Sequence, residues 1–384
     1  MILPRRSFLR FAAAGAGTIL VAPHMAFATV PGERRFVFII QRGAADGLNT
    51  VIPYGDPAYV GLRRELAVDP ATAIKLDGHF SLNPAMVEAG KMYSAGQALF
   101  VHATASPYRD RSHFDGQNVL ETGGTAPYAE RDGWMNRLVG LLPRAKEEAV
   151  AIAPTLPPAL RGPADVTSFA PSGLPQPSDD LLTRVGRMYQ ADPQLHGLWD
   201  AALTAGGMAA GQAPGQKPED LGRLAAGFLA KPDGPRIAML ETGGWDTHTG
   251  QQFRLTAQLK ALDIMVAALR DNLGPIWDQT VVLVATEFGR TAAVNGTGGT
   301  DHGTASAAML FGGAVKGGRV LADWPGLSPT NLYEARDLKP TIALDAVIAG
   351  TAAESFGIDP ARTARTLFPT ADFGRPAEGW TAQR

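Results

Sequence analysis

The stretch TEFGRTAAVNGTGGTDHGTAS, residues 286–306, lies between two apolar runs, Val281-Val282-Leu283-Val284 and residues 307–311. β-branched residues fit a strand buried on both faces, and the Gly-rich middle reads as a loop. Glu287 therefore falls just past one strand and Asp301-His302 just before another. In an open α/β sheet, sites gather outside the carboxyl ends of the strands. The stretch is accordingly expected to form half of an active or metal site.

Working outward, the same arrangement recurs. Residues 35–41 (RFVFIIQ) predict a buried first strand whose exit loop carries Asp46. Residues 97–103 predict another, followed by Ser112 and His113 where a helix is expected to begin. Residues 236–240 predict a third, leaving through Glu241-Thr242-Gly243-Gly244-Trp245-Asp246-Thr247-His248. Phe253, Leu255, Leu259, Leu262, Val266, Leu269 and Leu273 keep close to a helical period, so a long amphipathic helix is expected to return the chain to the Val281 strand. Strand, loop, helix and strand make a βαβ unit, so the sheet should be parallel. Residues 342–356 predict a last helix without an assigned role.

At 384 residues and 45% hydrophobic content the chain can bury a large core in one domain. A formal charge of −2 without a basic cluster argues against a nucleic-acid partner. Arg5-Arg6-Ser7-Phe8-Leu9-Arg10, a weakly apolar run and Ala26-Phe27-Ala28 have the form of a twin-arginine export signal over residues 1–28. The run is too short for a membrane span. The twin-arginine export machinery is thus an expected partner, and a periplasmic or secreted location is expected for residues 29–384. The absence of Cys removes thiolate ligands, leaving Asp, Glu, His or hydroxyl oxygen for any metal. Residues 29–384 are expected to form a single α/β domain with an irregular, Pro-rich insertion near 150–220. The tetrad Glu-Thr-Gly-Gly occurs at Glu121 and at Glu241, with nothing similar around it, and chance explains it better than a repeat.

Four loops thus carry candidate ligands: Asp46; Ser112 with His113; Asp246 with His248; and Glu287 with Asp301 and His302. A lone Asp after a strand is usually a turn or cap residue. Carboxylate and imidazole at alternate positions, as in Asp246-Thr247-His248, suit a borderline divalent metal. Ser112 has two readings: with Asp115 it spells a capping box, and at a helix start it is placed as an activated nucleophile. Trp245 and Phe288 are read as core packing or pocket walls, and His79, His102 and His196 as ordinary histidines.

Arg42-Gly43-x-x-Asp46-Gly47-Leu48-Asn49-Thr50, Arg111-Ser112-His113-Phe114-Asp115, Gly243-Gly244-Trp245-Asp246-Thr247-His248, Thr286-Glu287-Phe288-Gly289-Arg290-Thr291 and Asp301-His302-Gly303 together resemble the exported family called domain of unknown function 1501 (DUF1501). That family is similar to the alkaline phosphatase and sulfatase superfamily. The resemblance implies an alkaline-phosphatase-like three-layer α/β sandwich, with a mostly parallel central sheet flanked by helices. It implies a hydrolase of a small anionic ester, phosphate or sulfate, acting with one or two divalent ions such as Zn, Mn, Ca or Mg. Asp46, Asp246, His248, Glu287, Asp301 and His302 would supply the metal ligands, Ser112 the nucleophile, and His113 and Arg290 further catalytic groups. The chain departs from the superfamily at Glu287-Phe288, where an Asp-His pair is usual. That departure motivates the alternative expectation, a catalytically silent envelope binding or scaffold protein on the same fold.

Overall fold

In a computed structural model, residues 34–143, 149–171, 179–190, 192, 195–197, 199–200, 202–203, 215–372 and 378–382 are described. The export signal expected over residues 1–28 lies outside them. The strands in chain order are β1 (Arg35–Gln41), β2 (Val51–Ile52), β3 (Ile74–Lys75), β4 (Ser81–Leu82), β5 (Ala98–Ala105) and β6 (Ala149–Ile152). They continue with β7 (Thr167–Ser168), β8 (Ile237–Thr242), β9 (Thr280–Thr286), β10 (Ser306–Phe311), β11 (Arg319–Leu321) and β12 (Ile342–Ala343).

The main sheet runs β11-β5-β10-β9-β1-β8-β6-β7, with β12 also on β5, and β2-β4-β3 form a small separate sheet. In the main sheet β10 alone is antiparallel to its neighbours; every other pairing is parallel. The reversal of β10 has a consequence for the site. Its amino end lies at the same sheet edge as the carboxyl ends of β1, β8 and β9, so His302, ahead of β10, reaches the edge from which Asp246 and Glu287 follow β8 and β9.

Apolar side chains on both faces explain why the strands sit centrally. On β1, Val37 and Ile39 pack into one core, and Phe36, Phe38 and Ile40 into the other. Each fully buried side chain of this kind contributes about 1.5–3 kcal/mol. Helices Pro218–Leu229 and Gln251–Leu273 cover the first face, with Leu224, Leu255, Leu259 and Leu262 in its core. Helices Trp134–Leu141 and Leu344–Phe356 cover the second, through Leu138, Val347 and Ile348. The result is the expected three-layer α/β sandwich with a mostly parallel sheet flanked by helices.

Local departures from the sequence reading are few. Phe253 is 81% exposed, so the long helix begins its buried stripe at Leu255. The Pro-rich stretch near 150–220 is not merely laid over the core, because β6 and β7 extend the sheet beyond β8. Glu121 and Glu241, the acids of the two Glu-Thr-Gly-Gly tetrads, both pair with Arg42, at 2.7 and 2.6 Å. Among the described residues, no helix is long and apolar enough to cross a membrane.

Candidate metal centre

Register sets the site. Gln41 on β1 pairs with Thr242 on β8 and with Thr286 on β9, so Arg42, Gly243 and Glu287 leave the sheet at one level. Thr286 Oγ1 ties the loops together, donating to the Gln41 carbonyl at 2.8 Å and accepting from Ala45 N–H at 3.0 Å. Gly43 has φ +119°, and a Cβ there would lie 2.7 Å from the Asp246 nitrogen. Only glycine allows that approach without strain. The loop 286–306 doubles back on itself: Gly289 N–H donates to the Thr304 carbonyl, Gly303 N–H to the Gly289 carbonyl, and Arg290 bridges His302 in antiparallel fashion.

Three histidines and one aspartate converge. His113, Asp246 and His302 each offer a ligand atom within 4.8 Å of the others. His248 Nε2 lies 2.9 Å from Asp246 Oδ1 and 3.0 Å from His302 Nε2, and His302 Nε2 is 3.2 Å from the same Asp246 oxygen. His113 Nε2 is 3.5 Å from Asp246 Oδ2 and, although buried, has no hydrogen-bond partner.

The opposite ring nitrogens explain the orientation. His113 Nδ1 faces Glu287 Oε1 at 2.9 Å, His248 Nδ1 faces Asp301 Oδ1 at 2.8 Å, and His302 Nδ1 faces the Arg111 carbonyl at 2.9 Å. A carbonyl only accepts. Burial opposes ionisation of Glu287, yet hydrogen bonds from His113, Gln117 and the Gly43 N–H hold its carboxyl below the usual range, so it accepts too. Asp301 is held low in the same sense, against burial, by Asn295 and His248. Each Nδ1 is therefore placed to carry a proton, and each ring turns its Nε2 toward Asp246, where the neutral tautomer would present a lone pair. Two such lone pairs 3.0 Å apart repel unless a proton or a cation lies between them.

The remaining electrostatics agree. Burial works against an ionised Asp246, but the Arg290 guanidinium, 2.6 Å away, holds its pKa below the ordinary value. Hydrogen bonding to Glu287 raises the His113 pKa, whereas burial and the neighbouring His113 lower that of His302. His113 stacks on Phe288 with ring centroids 5.1 Å apart, and Phe288 lies 5.4 Å from the His302 ring. Phe288 is thus the apolar wall of the centre, itself packed with Ala44, Tyr108 and Val119.

The expected site residues divide. Asp246, His248 and His302 meet, and His113, expected as a catalytic group, joins them as a further candidate ligand. Glu287 and Asp301 stand behind the ligands as acceptors for His113 and His248. Asp46 is not brought into the cluster. It is 1% exposed, caps the helix Gly47–Thr50, and forms a bidentate pair with Arg63 at 2.5 and 3.0 Å. It is linked to the centre through Gln251, whose amide donates to Asp46 and accepts from Thr300 Oγ1; Thr300 in turn bonds Arg290. Arg290 is buried, and its guanidinium is taken up by Asp246 and Thr300. Ser112 is the N-cap residue of the helix His113–Thr122 but makes no side-chain capping bond, so the capping box with Asp115 does not form. Sequence reasoning missed Arg63, Gln117, Asn295 and the Arg111 carbonyl. The one available signal was that Arg111 directly precedes Ser112-His113.

A family profile described as a protein of unknown function (DUF1501) matches residues 33–368. No curated protein sequence matches the chain. Among solved structures, the chain is similar to a 2-O GAG sulfatase, at 10% identity and a TM-score of 0.40, covering 89% of this chain and 76% of that one. It is also similar to the phosphonate monoester hydrolase of Agrobacterium radiobacter, at 13% identity and a TM-score of 0.35, covering 89% and 79%. A third is the alkaline phosphatase from the Antarctic bacterium TAB5, at 9% identity and a TM-score of 0.33, covering 88% and 99%.

Proposed function

The chain belongs to the DUF1501 family, and we propose that it is an exported, metal-dependent hydrolase of a phosphate or sulfate ester, with Ser112 as nucleophile. One observation carries this reading: three histidines whose Nδ1 atoms are each fixed by an acceptor turn their Nε2 atoms onto Asp246. That donor set, nitrogen with one carboxylate, suits Zn or Mn better than the oxygen-rich surroundings Ca or Mg prefer. His113, Asp246, His248 and His302 would hold the ion. Asp46 already has its charge met by Arg63, which favours one ion over two.

When bound, the ion supplies Lewis-acid polarisation of the ester and lowers the pKa of a coordinated hydroxyl. The protein supplies the rest. Ser112 stands at the amino end of a ten-residue helix whose first N–H groups have no side-chain cap, and such N–H groups favour an oxyanion. Glu287 and Asp301 keep the histidines in the ligating tautomer. Arg290 acts as a positioning residue for Asp246. Arg5-Arg6 and Ala26-Phe27-Ala28 support export by the twin-arginine route to the periplasm or beyond.

The test is turnover of aryl phosphates and aryl sulfates by the mature protein, loaded in turn with Zn, Mn, Ca or Mg. Activity above a Ser112→Ala control that retains its metal supports the reading. Metal binding with no turnover of either ester class in any pairing would reject the enzyme and leave the silent envelope protein.

A further inference from the structure

The segment that leads from β5 to His113 runs beside a second concavity. This is a cavity of about 270 Å³ lined by Arg109, Thr341 and Asp345, with the apolar surfaces of Pro107 and Ile342 and the exposed Asp372. No ligand of the proposed metal centre lines it.

Its polar groups are left incomplete by the fold. Asp345, in the first turn of the helix Leu344–Phe356, is 5% exposed, and its carboxylate accepts no hydrogen bond among the described residues. Burial pushes its pKa up to about 7, with Arg109 as the charge that pulls it back. Thr341 Oγ1 is buried without a partner among the described residues. Arg109 uses Nη1 on the carbonyls of Ser106 and Tyr108, which leaves Nε and Nη2 without an acceptor among the described residues. That anchoring also explains why Arg109 and Asp345 line one cavity yet form no ion pair. Buried polar groups in native proteins nearly always find partners, and several unmet ones around one cavity point to a ligand that meets them.

We propose that this cavity binds a small zwitterion of α-amino-acid type. Its ammonium donates to Asp345, its carboxylate accepts from Arg109, Thr341 adds a hydroxyl contact, and a short aliphatic side chain lies against Pro107 and Ile342. A lone cation would sit beside Arg109 and a lone anion beside Asp345 and Asp372. A zwitterion presents the opposite charge to each. The volume, at the small end for ligand pockets, admits a molecule of this size.

Calorimetric titration of the intact chain with L-valine and L-alanine tests the assignment, with isobutylamine and isobutyrate as half-ligands. The expected result is saturable binding of the amino acids, with each half-ligand weaker by about tenfold or more. Asp345→Asn and Arg109→Gln should each weaken L-valine by a similar factor, at melting temperatures that show folded protein. Thr341→Val removes a hydroxyl that holds nothing in the fold, so it remains informative should either charge variant not fold, and its expected effect is a smaller loss of affinity. Absence of amino-acid binding, an amine that binds as tightly as L-valine, or affinity unchanged in the folded variants would each overturn the assignment. The readout is binding alone, so it stands or falls separately from esterase activity.

Discussion

His113 donates its Nδ1 proton to Glu287 Oε1 across 2.9 Å, and the Glu287 side chain is fully buried. That bond decides which nitrogen of His113 is free to ligate. Glu287→Gln keeps the volume but offers an amide that can present N–H to the ring, so the tautomer is no longer fixed. The expected outcome is a loss of metal affinity of roughly 10–100-fold with the fold retained. Competition against a chromophoric chelator measures it, and an unchanged affinity would place Glu287 outside the metal-holding machinery.

The pair between Asp46 and Arg63 sets Asp46 apart from Asp246, the carboxylate proposed to hold the metal. Both side chains are buried, and removing one partner of such a pair costs about 3–5 kcal/mol because the other charge is left alone. Asp46→Asn should therefore show that loss in urea unfolding while still binding one metal per chain by elemental analysis. His302→Ala should show the reverse, with metal lost and stability of the metal-free protein little changed. Loss of metal in folded Asp46→Asn would return Asp46 to the ligand set.

His102 gives a pH dependence of definite sign. Burial lowers its pKa from 6.5 to about 4, and in the native state Nε2 donates to the Val51 carbonyl while Nδ1 accepts from Ala103 N–H. The Nδ1 bond needs the neutral ring, whereas the Nε2 bond survives protonation. A folded-state pKa below the unfolded one means that the contribution is fully present above pH 6.5 and is lost as pH falls toward 4. The full span is on the order of 3 kcal/mol at 1.36 kcal/mol per pKa unit. His102→Gln should be less stable at pH 7 yet lose less than wild type between pH 6.5 and 4. Parallel pH profiles of the two proteins would show that His102 does not drive this part of the acid response.

The sheet was legible in the sequence because β1, β5, β8 and β9 are continuous apolar runs, and the loops after them could be placed at one edge from that alone. Four of its short strands were not: β6, β7, β11 and β12 have four, two, three and two residues, too few for a period to show, and residues 342–343 were expected to open the last helix. Residue types at the site were legible, but their ranks were not. Nothing in the sequence tells that the acid at 287 faces a histidine 174 positions away, or that Asp46 meets an arginine 17 positions on. Ser112-x-x-Asp115 spells a capping box that the structure does not form, since local motifs propose bonds that tertiary contacts then reassign.

Phe288 occupies the position at which the resemblance leads one to expect an imidazole. It is 3% exposed, packs with Ala44, Tyr108 and Val119, and stacks on the His113 ring. An imidazole placed there would face apolar atoms on one side and an already oriented ligand on the other. Phe288→His is therefore expected to leave the metal count at one per chain while costing stability through an imperfectly filled, partly polar core site. Phe288→Ala should cost more, about 3–5 kcal/mol, and should loosen the His113 ring and with it metal affinity. Unfolding in urea and elemental analysis of both variants check this. A second equivalent of metal in Phe288→His would show instead that the wall residue alone keeps the centre mononuclear.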